Sequence, residues 1–126
     1  MSRIPPCSQT CFTPHTLGDM LSDSTISAIQ QFVSERDWGK FHTPGNLAKS
    51  ISIEAGELLE CFQWDDQPRD GDIAHVHEEI ADVLIYYVLL SDKFGFDLDK
   101  IVTDKIRKNA ERYPIEQSYG SSAKVQ

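Results

Sequence analysis

The chain has 126 residues, 40% of them hydrophobic and 25% charged, with a formal net charge of -8 at pH 7. That length supports one domain with a real core and no second domain, and the composition is ordinary for a soluble globular protein. The acidic balance excludes a dedicated binder of nucleic-acid polymers, which needs a basic face; the longest apolar run, Val83 to Leu90, is too short to span a membrane.

Cys7, Cys11 and Cys61 cannot close a disulfide framework, and Cys61 falls on an apolar stripe, which fits a reducing, cytoplasmic setting. Arg3 is the only Lys or Arg near the N-terminus, and no apolar core follows it, so neither a signal peptide nor a transit peptide is expected.

Residues 1–22 are rich in Pro, Ser, Thr and Cys without periodicity and read as a flexible tail. Cys7, Cys11 and His15 recur at steps of four, as metal ligands can. Pro5, Pro6 and Pro14 oppose a helix there and no fourth ligand is evident, so an irregular tail is expected.

The domain is expected over residues 23–117. A first helix opens near Ser22 to Ser24 and carries Ile26, Ile29, Phe32 and Val33 on one face, ending around Trp38-Gly39. An aromatic loop, Trp38 to His42, leads to Thr43-Pro44, a cap followed by proline at the first helical position. The second helix runs to about Gln63, and residues 65–72 form a polar loop full of turn formers. The third spans about Asp72 to Phe94 and stops at Gly95; the fourth is capped by Asp97 and closed by Pro114. Residues 118–126 read as a C-terminal tail. No strand or internal repeat is evident, so the class is all-α, a four-helix bundle.

Chemistry concentrates in two acidic pairs. Leu47, Ile51, Leu58 and Cys61 form an apolar stripe; Glu54 falls inside it and Glu57 is its i+3 neighbour. Val76, Ile80, Val83, Tyr87 and Leu90 mark the expected buried side of the third helix, with Glu79 and Asp82 beside them. Carboxylates facing a helical core need a compensating cation. All-oxygen ligands suit Mg2+, which is completed by waters and substrate phosphates. Glu60 and Glu78 border the pairs, Glu60 as a further ligand, an outer partner or a solvated charge. A di-iron carboxylate site is disfavoured, because no Glu is followed by His at i+3.

Lys105, Asn109 and Arg112 recur at i, i+4 and i+7 on the fourth helix. Alone they would read as cations complementing a helix C-terminus; beside a carboxylate-held metal they suit the oxygens of a polyphosphate. Trp38, Trp64 and Tyr86 could hold a planar base by stacking, whereas Phe41 reads as core. Val83 to Leu90 is apolar all the way round, with Leu89 expected to face outward. That is more than one small bundle can cover, so a homodimer or homotetramer is expected.

At these residues the chain resembles the MazG-like nucleotide pyrophosphohydrolases, and within them the dCTP pyrophosphatase branch. The segments are Arg36-Asp37-Trp38, Phe41-His42, Asn46-Leu47, Glu54 through Trp64, Glu78 through Tyr86, and Lys105 through Pro114. The resemblance implies an all-α, Mg2+-dependent hydrolase of nucleoside triphosphates, yielding the monophosphate and pyrophosphate. It implies Glu54, Glu57, Glu79 and Asp82 as metal ligands and Lys105 and Asn109 near the phosphates, with Trp38, Trp64 and Tyr86 lining the base pocket. His42 and Arg112 join the substrate-binding set. Either Glu57 or Glu60 would orient the attacking water. Two positions depart from the pattern: Ile53 stands where the family often has a further Glu, and Ile29 where the mammalian-type enzyme has a base-pocket histidine. A non-catalytic helical module binding nucleotides or a protein partner through the same acidic groove is the alternative.

Overall fold

The computed structural model describes residues 20–69 and 71–123; the Cys7, Cys11 and His15 spacing and most of the expected N-terminal tail lie outside the described residues. Five helices and one 3-10 turn make up the regular structure, with no strand among the described residues: α1 (Asp23–Glu35), the 3-10 turn (Trp38–Phe41), α2 (Pro44–Glu60), α3 (Ile73–Phe94), α4 (Leu98–Arg112) and the short α5 (Ile115–Ser118). The all-α expectation holds. None of the helices is long and apolar enough to cross a membrane.

α1, α2 and α4 each begin at a side chain that caps the first turn, and α3, whose Asp72 makes no cap bond, is set at its other end by a glycine. The Ser22 hydroxyl accepts the Thr25 N–H at 3.2 Å, Thr43 accepts from Asn46 at 3.2 Å with Pro44 opening α2, and Asp97 accepts from Lys100 at 3.1 Å. Gly95 ends α3 at φ 65°, a left-handed conformation that favours glycine, while the Phe96 N–H reaches back to the Ser91 carbonyl at 3.0 Å. α2 stops at Glu60, slightly short of the expected end, and α5 is a single turn after Pro114 that periodicity alone did not announce.

The main interface joins α2 to α3 as a helical hairpin; α1 rests on the 3-10 turn and on α3. Gln30 Nε2 donates to Asp92 Oδ2 at 3.0 Å, and the Met20 N–H donates to Asp99 Oδ2 at 2.9 Å, pinning α1 at both ends. Leu47, Cys61, Val88 and Leu89 form the buried apolar core, Leu47 with no exposed surface. α4 makes no comparable interface with any other helix of its own chain. Among the described residues the four long helices are therefore a hairpin with α1 against it and α4 apart, not a closed four-helix bundle.

That arrangement corrects two expectations for α3. Ile80 and Tyr87, placed on the buried side from sequence, are 47% and 46% exposed, and Leu89, expected outward, is buried at 8%. The reason is that α3 meets both α2 and α1, so its buried arc is displaced around the helix toward Glu79, Val88, Leu89 and Ser91.

Candidate active site

α2 presents Glu54 and Glu57 one turn apart, and α3 presents Glu79 and Asp82 at the same spacing. Pairing of the two helices brings carboxylate oxygens of Glu54, Glu57 and Glu79 within 4.8 Å of one another. Glu79 is the most enclosed, at 4% exposure; Glu54 and Asp82 are half-buried and Glu57 is exposed.

The electrostatics follow from that crowding. Burial first, and then the charges of Glu57, Asp82 and Glu79, push the Glu54 carboxyl above its ordinary range. Glu79 is pushed the same way, by burial and then by Glu57 and Asp82, with His75 opposing. His75 Nε2 lies 3.3 Å from Glu79 Oε1. The other oxygen of Glu79, Oε2, is buried and has no hydrogen-bond partner among the described residues. A buried, unsatisfied acceptor in a group of mutually repelling carboxylates is what a hard divalent cation with oxygen ligands would resolve. The donor set fits such an ion, with Glu54, Glu57 and Glu79 able to hold it.

Asp82 also lines a cleft of about 600 Å³ between α1 and α3, together with Ile29, Phe32, Trp38, His42, Tyr86 and Leu89. The cleft is mostly apolar and aromatic. Trp38 meets Phe32 edge to face at 5.6 Å, and His42 approaches Tyr86 edge to face at 6.5 Å. The turn that carries Trp38 is set by Asp37, a non-glycine residue at φ 53°, and by Asn46 Nδ2 donating to the Phe41 carbonyl at 2.9 Å. Carboxylates and cleft thus adjoin through Asp82, so a ligand with a planar end and an anionic end can engage both, the anionic end through a cation held by the carboxylates.

Other sequence-expected residues stand elsewhere. Trp64 is 76% exposed and lines a small depression past the end of α2 with Glu60 and Cys61, outside the cleft. Burial raises the Cys61 thiol, with nearby Asp72 and Glu79 adding to it, so this cysteine is not activated as a nucleophile. Lys105, Asn109 and Arg112 are exposed on α4, and no ion pair or hydrogen bond links them to the carboxylates among the described residues. Phe41, expected as core, is 59% exposed. Two features escaped the sequence reading. Ile29 and Phe32, apolar positions on one face of α1, are cleft walls, a role that depends on the tertiary placement of α1. His75 touches Glu79, which its i, i+4 spacing could have signalled.

Known proteins resemble this chain in sequence and in fold. Residues 49–126 match the profile of the MazG-like family. The dCTP pyrophosphatase 1 proteins of Rattus norvegicus and Mus musculus are each 41% identical over 101 residues, covering 75% of this chain; the chain spans 59% of those relatives' own length. The Bos taurus dCTP pyrophosphatase 1 is 40% identical over 114 residues, covering 82% of this chain and 68% of the relative. Among solved structures, a pyrophosphatase from Archaeoglobus fulgidus superposes with a TM-score of 0.64 at 42% identity, over 72% of this chain and 90% of that one. With the profile matched over most of its length and relatives at this level of identity, the chain belongs to the MazG-like family.

Proposed function

We propose that this protein is a Mg2+-dependent nucleoside triphosphate pyrophosphohydrolase acting on dCTP, or on modified deoxycytidine triphosphates, to release the monophosphate and pyrophosphate. One observation carries the reading: Glu54, Glu57 and Glu79 converge within 4.8 Å, one with a buried oxygen left without a partner among the described residues, beside an aromatic-walled cleft. The names of the mammalian relatives support dCTP as substrate, and nucleotide-pool sanitation in the cytoplasm is the matching role.

In this reading Glu54, Glu57, Glu79 and Asp82 hold Mg2+. A bound Mg2+ supplies charge neutralisation of the triphosphate and polarisation of a phosphoryl oxygen. Glu57, exposed within the group, or Glu60 one turn further along α2, orients the attacking water and accepts its proton. Trp38, His42 and Tyr86 receive the base and exclude water around it.

Lys105, Asn109 and Arg112 grip the phosphates. They stand on a helix that packs little against its own chain; Ile101, Val102 and Ile106 expose apolar surface on that same helix, as Leu84 and Tyr87 do on α3. A homodimer or homotetramer covers that surface and seats α4, so assembly completes the site. Residues 23–117 form the catalytic domain.

The test is to incubate the protein with Mg2+ and each common dNTP and NTP in turn, with 5-modified dCTPs added, and to measure pyrophosphate. Release is expected, fastest from a deoxycytidine triphosphate. Binding without release from any of them would instead make this a nucleotide-binding module.

A further inference from the structure

The four carboxylates have no lysine or arginine paired with them among the described residues; the Lys and Arg ion pairs lie on other parts of the surface. The one nitrogen donor in ion-pair contact with the group is His75, one turn before Glu79 on α3, at 3.3 Å from Glu79 Oε1. His75 is half exposed, and its other ring nitrogen faces the exposed Glu78 carboxylate at 4.0 Å. The ring therefore spans the rim of the site, between a solvated carboxylate and the buried one.

Glu79 has two unlike oxygens as a result. Oε1 faces the imidazole, while Oε2 is buried with no partner among the described residues. A ring nitrogen resting 3.3 Å from one oxygen restricts rotation of the carboxyl group and leaves the other oxygen available. Outer groups orient metal-binding carboxylates in this way, and their loss weakens the metal rather than the fold. The i, i+4 spacing builds the contact into α3 itself, so no other element has to be in place for it.

We propose that His75 is a positioning residue for Glu79, its Nε2–H closing from the 3.3 Å ion-pair contact to a hydrogen bond on Oε1 so that Oε2 is presented to a divalent cation. The proposal rests on the reading that the carboxylates hold a metal. It requires only an N–H on Nε2, which the cationic ring and one neutral tautomer both carry. His77, on the same helix, has no ion pair with the carboxylates and serves as the internal control.

The test is calorimetric titration of Mn2+ into the nucleotide-free full chain, for wild type, H75A, H75Q, H77A and E79Q, with helicity checked by circular dichroism. H75A is expected to bind Mn2+ about 10-fold more weakly at unchanged helicity, and H75Q, which keeps a side-chain N–H, to stay within about threefold of wild type. H77A should bind as wild type, and E79Q should lose the site. In turnover, H75A should need more metal for half-maximal rate, yet match wild-type kcat and nucleotide KM once metal is saturating. If H75A binds Mn2+ as tightly as wild type while E79Q does not, the positioning role is overturned and the carboxylate site survives. If H75Q falls as far as H75A, donation by an N–H is overturned. If wild type shows no site, or E79Q keeps it, the carboxylate reading and the proposal fall together.

Discussion

Glu54 on α2 and Glu79 on α3 reach each other across the helical hairpin, with carboxylate oxygens that lie, together with one from Glu57, within 4.8 Å. Both are pushed above the ordinary carboxylate range, by burial and by the acids around them. The interface that holds the fold together is therefore also where its electrostatic strain is concentrated, and a bound cation would relieve that strain.

This gives the metal-free protein a characteristic pH response. A carboxyl group with a raised folded pKa contributes stability that is fully present below its unfolded pKa and is lost as pH rises through the folded value. Glu54 and Glu79 both have that sign. Asp104 has the opposite sign, held low chiefly by its hydrogen bond from Lys100, so its contribution is lost only as pH falls through its depressed folded value. In chelator, thermal melting should occur at a higher temperature near pH 5 than near pH 7.5, and Mg2+ should raise the neutral-pH melting temperature more than the acidic one. Equal melting at both pH values, with no response to Mg2+, would count against the strain.

Neutralising one member should separate stability from turnover. Glu79→Gln keeps the shape and removes a buried charge, so in chelator it should melt above wild type. Its turnover should fall by a factor on the order of 10² or more, because residues acting as one unit fail together. Melting scans and pyrophosphate assays on the same preparation check both effects.

Trp38→Ala tests the cleft. The ring is 44% exposed and braced edge to face by Phe32, so its removal should leave the core of the domain intact. Loss of a stacking surface worth about 1–3 kcal/mol should appear mainly in KM for the best substrate. An unchanged KM would make Trp38 a structural ring.

Assembly is best probed on α4. Ile106 is 62% exposed and sits among Ile101, Val102 and Lys105, so Ile106→Glu should fold normally yet shift the mass measured by light scattering toward the monomer. Turnover should fall with the mass. A monomeric wild type with full activity would remove the need for a partner copy.

The helices were legible because their caps and stops are local: Ser22, Thr43-Pro44, Gly95 and Asp97 act through bonds to residues a few positions away. The acidic pairs were legible for the same reason, since i, i+3 spacing puts each pair on one face. Which faces meet was not legible. Periodicity assigned Leu89 outward and Ile80 inward, because it carries no information on the angle at which α1 approaches α3. The cations of α4 illustrate the same limit: their row was visible, but periodicity does not say which surface that row faces.

The proposed reaction is tested most directly by identifying the products from dCTP with Mg2+, using phosphorus NMR on wild type and Glu79→Gln side by side. Wild type is expected to give dCMP and pyrophosphate in equal amounts, with Glu79→Gln giving almost none. Formation of dCDP and inorganic phosphate, or equal turnover by the two proteins, would contradict it.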